Sequence, residues 1–290
     1  MSFRLVQELA ASGVPVAVAS RVLRVSPSGY YEWRDRAPSA RAVADAALST
    51  QIVEIHRMSR GTYGVPRVHA ELRLGRDVRC SRKRVARLMR LARVQGIVRR
   101  RGKHRRPAPA VHGDLVRRRF VADAPNRLWL TDITEHPTRE GKVYCAAVLD
   151  VYSRRIVGWS IADHLRAELV VDALEMARWR RRPQGTIVHS DRGAQYTSWA
   201  FGHRLRAAGL LGSMGRVASA LDNAMMESFF GTMQRELLDR PPYWASRREL
   251  GSAIFEWIEG WYNPRRRHTA LAHLSPVEYE RSRQAASSAA

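Results

Sequence analysis

Between Asn126 and Ile161 three strand-like segments follow one another with almost nothing between them. LWLTDITEH alternates apolar and polar residues, KVYCAAVLDVY is a longer apolar run, and RIVGWSI is a third. Arg139-Glu140-Gly141 and Ser153-Arg154 supply the turns. A parallel pair needs a crossover of a dozen or more residues, so connections this short predict an antiparallel meander. A helix over Arg166–Arg180, the buried strand TIVHS, a helix near Ser198–Ala208 and the short strand LLGSM follow. The expected product is a mixed five-stranded sheet with helices.

The chain before this region is of a different kind. From residue 1 to about 106 it reads as helical and basic. In a first helix-turn-helix candidate, Arg4–Ala11 and Pro15–Val22 precede a short helix, SPSGYYEWRDR, that Ser26 can cap and that the Ser28-Gly29 step weakens. The second candidate runs as a helix over Tyr63–Leu74, a turn over Gly75–Cys80, and Ser81 capping RKRVARLMRLARV. There Val85, Leu88, Met89 and Ala92 form one buried stripe, and Arg82, Lys83, Arg84, Arg87 and Arg90 are the candidate contacts to DNA. A major groove admits one such helix. From Arg76 to Arg106 there are fourteen Lys or Arg and one acid, Asp77. The stretch ends in a basic linker in which Arg99, Arg100, Arg101 and Lys103 can track a phosphate backbone. The expected domains are a helical segment over 1–50, a DNA-binding helix-turn-helix over 51–106, and a catalytic core with a C-terminal helical extension over 120–283.

Composition narrows the partner. Fifty Lys and Arg against 27 Asp and Glu leave +23, nearly all of it arginine, and such a surface favours a polyanion by releasing its condensed counterions. Cys80 and Cys145, the two cysteines, are too few for a disulfide framework or a thiolate zinc site. No run approaches the length of a membrane span, and no secretory leader pattern opens the chain, so a cytoplasmic location is expected.

Three acids bear on chemistry. Asp132 interrupts the first strand, where a buried carboxylate needs a cationic partner. Asp191 follows TIVHS directly, at the strand end where α/β folds place ligands. Alone, its Asp-Arg-Gly context would pass for an ordinary turn. Glu227 lies in a long helix, Asp222–Leu238, beside a stripe of Met226, Phe229, Phe230, Met233 and Leu237. Alone it would pass for a solvent-facing residue. Two strands and a helix can nevertheless bring all three together around two divalent ions, and oxygen ligands select Mg2+ or Mn2+. Asp150 reads instead as a strand-end residue facing Arg154 or Arg155, and Asp222 as a helix cap beside Asn223.

At WLTDIT, AAVLDVYSRRIVGW, HSDRGAQYTS, SALDNAMMESFFGTMQREL and WYNPRRRHTALAHLSPVEYE the chain resembles the DDE transposases of bacterial insertion sequences. The match is to the second-frame product of the insertion-sequence-three family, relatives of retroviral integrases. It extends over about Tyr63–Tyr279, with 35 residues between Asp191 and Glu227. The resemblance implies an α/β ribonuclease H-like core preceded by an all-α helix-turn-helix region, with Asp132, Asp191 and Glu227 as catalytic metal ligands. It further implies metal-dependent cleavage and strand transfer on the double-stranded DNA of element ends and target. A homo-oligomer, at least a dimer on DNA, and an upstream-frame fusion partner belong to the same picture. Where relatives carry a basic residue two turns past the glutamate, this chain has Gln234 followed by Arg235, both candidate DNA contacts. An inactive DNA-binding repressor and a ribonuclease H-type nuclease are the rival readings.

Several residues keep simpler readings. His189 is expected to be a hydrogen-bonded core histidine. Gln195 and Tyr196 either approach DNA or pack a helix start. Trp257, Trp261 and Tyr262 pack the last helix onto the core. Arg265, Arg266, Arg267 and His268 either hold phosphates or form a solvated turn.

Overall fold

The computed structural model describes residues 2–97, 120–191, 195–214 and 224–288, in two compact units, Met1–Glu54 and Ile55–Ala290. The first unit packs α1 (Ser2–Ala11), α2 (Val16–Val22) and α3 (Pro27–Asp35) around Val6, Ala19 and Tyr30, with Phe3, Leu23 and Trp33 against them. The Ser28-Gly29 step does not break α3. Ser26 Oγ accepts from Gly29 N at 3.3 Å, and a side chain on Gly29 would meet the Phe3 ring at 3.3 Å. The glycine lets the ring approach at that point. A long helix, α4 (Ala40–Met58), follows.

In the second unit α5 (Val65–Gly75) and α6 (Arg82–Leu91) form a helical pair. Ser81 Oγ caps α6 by accepting from Arg84 N at 3.2 Å, and Asp77 takes positive φ, 51°, in the turn between them. Val85, Leu88 and Met89 are buried, as their spacing predicts.

Five strands then form one sheet in the order β3-β2-β1-β4-β5. They are β1 (Leu128–Thr138), β2 (Gly141–Asp150), β3 (Ile156–Ala162), β4 (Ile187–Ser190) and β5 (Leu211–Met214). The β1, β2 and β3 meander is antiparallel; β4 and β5 add in parallel beside β1. Helices α7 (Ala167–Arg181) and α8 (Trp199–Ala207) join one face in a core of Trp129, Val148, Leu174, Val188 and Phe201. Gly158 permits this closeness, because a Cβ there would lie 2.1 Å from the Ala173 carbonyl of α7. From α9 (Ala224–Met233) and α10 (Arg247–Phe255) the chain contacts β1 and β2 respectively. Each of these helices ends by loosening into π-helical turns, Gln234–Leu238 and Glu256–Tyr262. Trp257, Trp261 and Tyr262 are buried there, in the packing role expected of them. Among the described residues no helix is long and apolar enough to cross a membrane.

The final helix, α11 (Pro276–Ser288), is clipped to the core by Glu280. Its carboxylate accepts from Ser153 Oγ at 2.7 Å, Arg155 Nη1 at 2.8 Å, and both Arg181 terminal nitrogens at 2.8 and 2.9 Å. Burial alone would raise the Glu280 pKa, but Arg181, Ser153 and Arg155 override it and hold it below the ordinary 4.5. A carboxyl whose folded pKa is depressed stabilises fully above its unfolded value and loses that contribution as pH falls through the folded one. Amide-exchange protection in α11 should therefore drop on acidification below about pH 4.5. In Glu280→Gln that dependence should be flat; equal pH profiles for the two proteins would refute the clip.

Candidate active site

Parallel pairing ends with Thr131 of β1 opposite Ser190 of β4. The next residues are Asp132 and Asp191, so strand register carries the two acids to the same edge of the sheet. Trp129 and Ile133 belong to the core under α7, and side chains alternate along a strand, which turns Asp132 to the face that α9 covers. Asp132 is half-buried and Asp191 exposed. One oxygen of Asp132 accepts from Ile133 N at 2.8 Å.

A buried tyrosine registers both acids. The Tyr196 hydroxyl lies 3.3 Å from Thr131 Oγ1. Its pKa is pushed well above the ordinary value by burial; the Thr131 contact opposes this, and the negative charges of Asp132 and Asp191 add to it. Two carboxylates thus project their field onto one hydroxyl.

Glu227 stands in the first turn of α9, exposed, on the helix whose Met226, Phe229 and Met233 are buried and which packs against β1. Among the described residues no three His, Cys, Asp or Glu side chains lie close enough together to hold a metal ion. The structure brings Asp132 and Asp191 together and leaves Glu227 on the neighbouring helix. The capping role read for Asp222 lies outside the described residues. As a donor set the two strand acids offer only oxygen, which suits a hard divalent cation rather than zinc.

Asp150, the competing acid, is fully accounted for without a cation site. Asn126 N and Tyr152 N donate to it at 2.8 and 3.0 Å. Its ion-pair partner is Arg181 at 3.3 Å, not Arg154 or Arg155. Burial raises its pKa against these contacts. His189 is buried, with Nδ1 3.1 Å from Ser213 Oγ, as a core histidine should be. Gln195 donates to the Leu165 carbonyl at 3.2 Å, and Tyr196 is buried and packs against Phe201.

On α6, Arg82, Lys83 and Arg90 are exposed, and Arg84 and Arg87 half-buried. Arg99, Arg100, Arg101 and Lys103 lie outside the described residues. The Gln234 amide donates to Asp239, and Arg235 reaches Thr232 Oγ1 at 3.5 Å.

Comparison with known proteins settles the family. Integrase core domain models match residues 122–220 and 209–276, and an HTH-like domain model matches residues 43–102. The transposase for insertion sequence element IS629 of Shigella sonnei is 39% identical over 269 residues, covering 90% of this chain and 89% of its own. The chain belongs to the integrase-core transposases of bacterial insertion sequences. The transposase InsF for insertion sequence IS3A of Escherichia coli K12 is 36% identical, covering 90% and 92% respectively, which sets this transposase in the insertion-sequence-three family. It is thereby an enzyme of the polynucleotidyl transferase class. Among solved structures, the HTLV-2 integrase catalytic core domain in complex with magnesium is 15% identical, covers 55% of this chain and 98% of its own, and has a TM-score of 0.42.

The transposase also contains a buried ionic assembly that the sequence reading missed. Arg266 and Arg267 are 4% and 3% exposed, so they do not form a solvated turn. Arg266 forms a two-bond fork with Glu236 at 2.9 and 2.7 Å. Arg267 pairs with Glu71 of α5 at 2.6 Å and Glu278 of α11 at 2.7 Å, and its backbone N–H donates to the Tyr63 hydroxyl at 2.7 Å. A signal was present. Glu236 sits three residues after Met233, on the apolar stripe, where an acid requires a buried partner.

Proposed function

We propose that this transposase cleaves and joins DNA strands at the ends of an insertion sequence, with Asp132, Asp191 and Glu227 as the ligands of Mg2+ or Mn2+, two ions per site. The observation that carries the reading is the convergence of Asp132 and Asp191 at one sheet edge, both felt by the Tyr196 hydroxyl. Glu227 adds a third carboxylate from a helix anchored on β1. When bound, the ions activate the attacking oxygen and neutralise charge on the departing one. Asp132 and Asp191 would hold the ions from two adjoining strands. The rigid parallel pairing keeps their separation constant through both steps, and Tyr196, buried and neutral, braces the end of β1 through Thr131. In the first step water attacks an end phosphodiester, breaking its bond to the 3′ oxygen and exposing a 3′ hydroxyl. In the second that hydroxyl attacks a target phosphodiester, so one P–O bond forms as another breaks.

The domain plan follows the same reading. Residues 1–50 form a helical segment, 51–106 the helix-turn-helix with its basic linker, and 120–283 the core. Within the helix-turn-helix, α6 presents Arg82, Lys83, Arg84, Arg87 and Arg90 to the major groove. Arg99, Arg100, Arg101 and Lys103 follow the backbone into the core, with Gln234 and Arg235 near the strand that reacts. The working form is a homo-oligomer on the chromosome, in the bacterial cytoplasm, with an upstream-frame product as a fusion partner.

Incubating the full chain with element-end duplex and, separately, with an RNA–DNA hybrid tests this directly. Mg2+-dependent nicking and joining of the duplex alone is the expected result. Cutting of the hybrid alone would assign the chain to ribonuclease chemistry, and binding of the duplex without any cutting would assign it to repression.

A further inference from the structure

Beside α9 lies a cavity of about 200 Å3 that the reading above leaves unused. Three arginines line it from three parts of the chain: Arg67 of α5, Arg154 of the β2–β3 turn, and Arg266 of the tail. Ser228 and Thr232 of α9 add hydroxyls, and His268 completes the wall. Among the described residues the acid within reach is Glu236, 2.7 Å from Arg266 and 3.9 Å from Arg67. Three positive charges against one negative leave a surplus of two in a half-enclosed space.

His268 supplies an independent sign. It is 7% exposed, and among the described residues its Nε2 has no hydrogen-bond partner although it is buried. A buried polar atom left unpaired costs about 1–3 kcal/mol, so a native protein rarely carries one without a ligand or water to meet it. The ring stands edge-on to Tyr262, centroids 5.0 Å apart, which fixes its direction. Burial, then the charges of Arg266, Arg154 and Arg67, push its pKa well below the ordinary value. The imidazole is therefore neutral, able to donate one hydrogen bond without adding a fourth charge.

We infer that this cavity takes a phosphate group, supplied by the DNA strand, held by Arg67, Arg154 and Arg266 with hydrogen bonds from His268 and Ser228. The volume holds roughly six water-sized groups, enough for a tetrahedral oxyanion. Arginine forks match that shape. Ser228 is the neighbour of Glu227, so a phosphate held here sets where the strand passes relative to α9. The choice of a DNA phosphate rests on the proposed function; the anion site itself rests on the cavity.

The test uses the full chain and Arg154→Asn. Arg154 sits at φ 57°, a left-handed conformation that asparagine tolerates, so the variant removes the charge without backbone strain. Binding of element-end duplex should weaken about tenfold, and the slope of log affinity against log salt should fall by about one. Arg154→Lys should keep the slope. Inorganic phosphate, against chloride at matched ionic strength, should raise the melting temperature of the parent chain more than that of Arg154→Asn. Duplex binding and slope unchanged in Arg154→Asn would overturn the strand contact, even where free phosphate still stabilises the parent. If the parent binds no duplex at all, the proposed function fails separately. The phosphate measurement then decides for the cavity, and equal shifts in the two proteins overturn it as an anion site.

Discussion

Asp191→Asn is expected to lower strand cleavage and strand transfer together, by on the order of a thousandfold, with affinity for the end duplex little changed. Removing one carboxylate charge from a site for divalent cations forfeits several kcal/mol of transition-state stabilisation, and each 1.36 kcal/mol or so is a factor of ten in rate. The substitution is nearly isosteric and Asp191 is exposed, so the fold should not suffer. Gel assays of nicked and joined products, beside anisotropy of duplex binding, separate the two effects. Strand transfer by Asp191→Asn at the parent rate in Mg2+ would remove Asp191 from the site. Mn2+, which tolerates poorer ligand sets, offers a second reading of the same variant.

The largest stability effect should come from the π-helical turn that follows α9. Glu236→Ala strips the fork from Arg266 and leaves a guanidinium 4% exposed without its counter-charge. Breaking a buried pair from one side costs about 3–5 kcal/mol, a large share of the 5–15 or so that holds a typical protein folded. In a domain of this size that lowers Tm by roughly 6–20 °C. Replacing both partners by apolar residues, Glu236→Leu with Arg266→Met, should recover most of the loss, because no buried charge is then stranded. Urea melts of the three proteins measure it. A Glu236→Ala protein as stable as its parent would mean that Arg266 finds its balance elsewhere.

These two sites differ in how legible they were. The antiparallel meander could be read because its signal is local: alternation within each strand and turns of two or three residues. Its edges fall within about two residues of the predicted ones, the usual uncertainty at an element end. The stripe on α9 was legible for the same reason, and it continues past Met233: the helix loosens into π-helical turns there, yet Leu237 is buried as its spacing predicts. Partners distant in sequence were the harder part. Asp150 has two arginines close by in the chain, yet pairs with Arg181, brought to it by α7. Arg266 and Arg267 read as a surface cluster because Glu236 and Glu71, which bury them, lie 30 and 196 residues away. The neighbourhood of Asp132 and Asp191 depends on β4 adding beside β1, a choice made by the whole sheet rather than by either strand.

The contacts of Arg267 also impose a timetable on synthesis. Tyr63 and Glu71 meet their partner 204 and 196 residues later in the chain. At about 5–20 residues per second a ribosome needs roughly ten to forty seconds to cover that distance. For that interval the nascent α5–α6 pair lacks the residue that ties it to the tail. The α5–α6 pair therefore reaches its finished setting only after the strands bearing Asp132 and Asp191 have been synthesised, so that the two parts of this unit mature together.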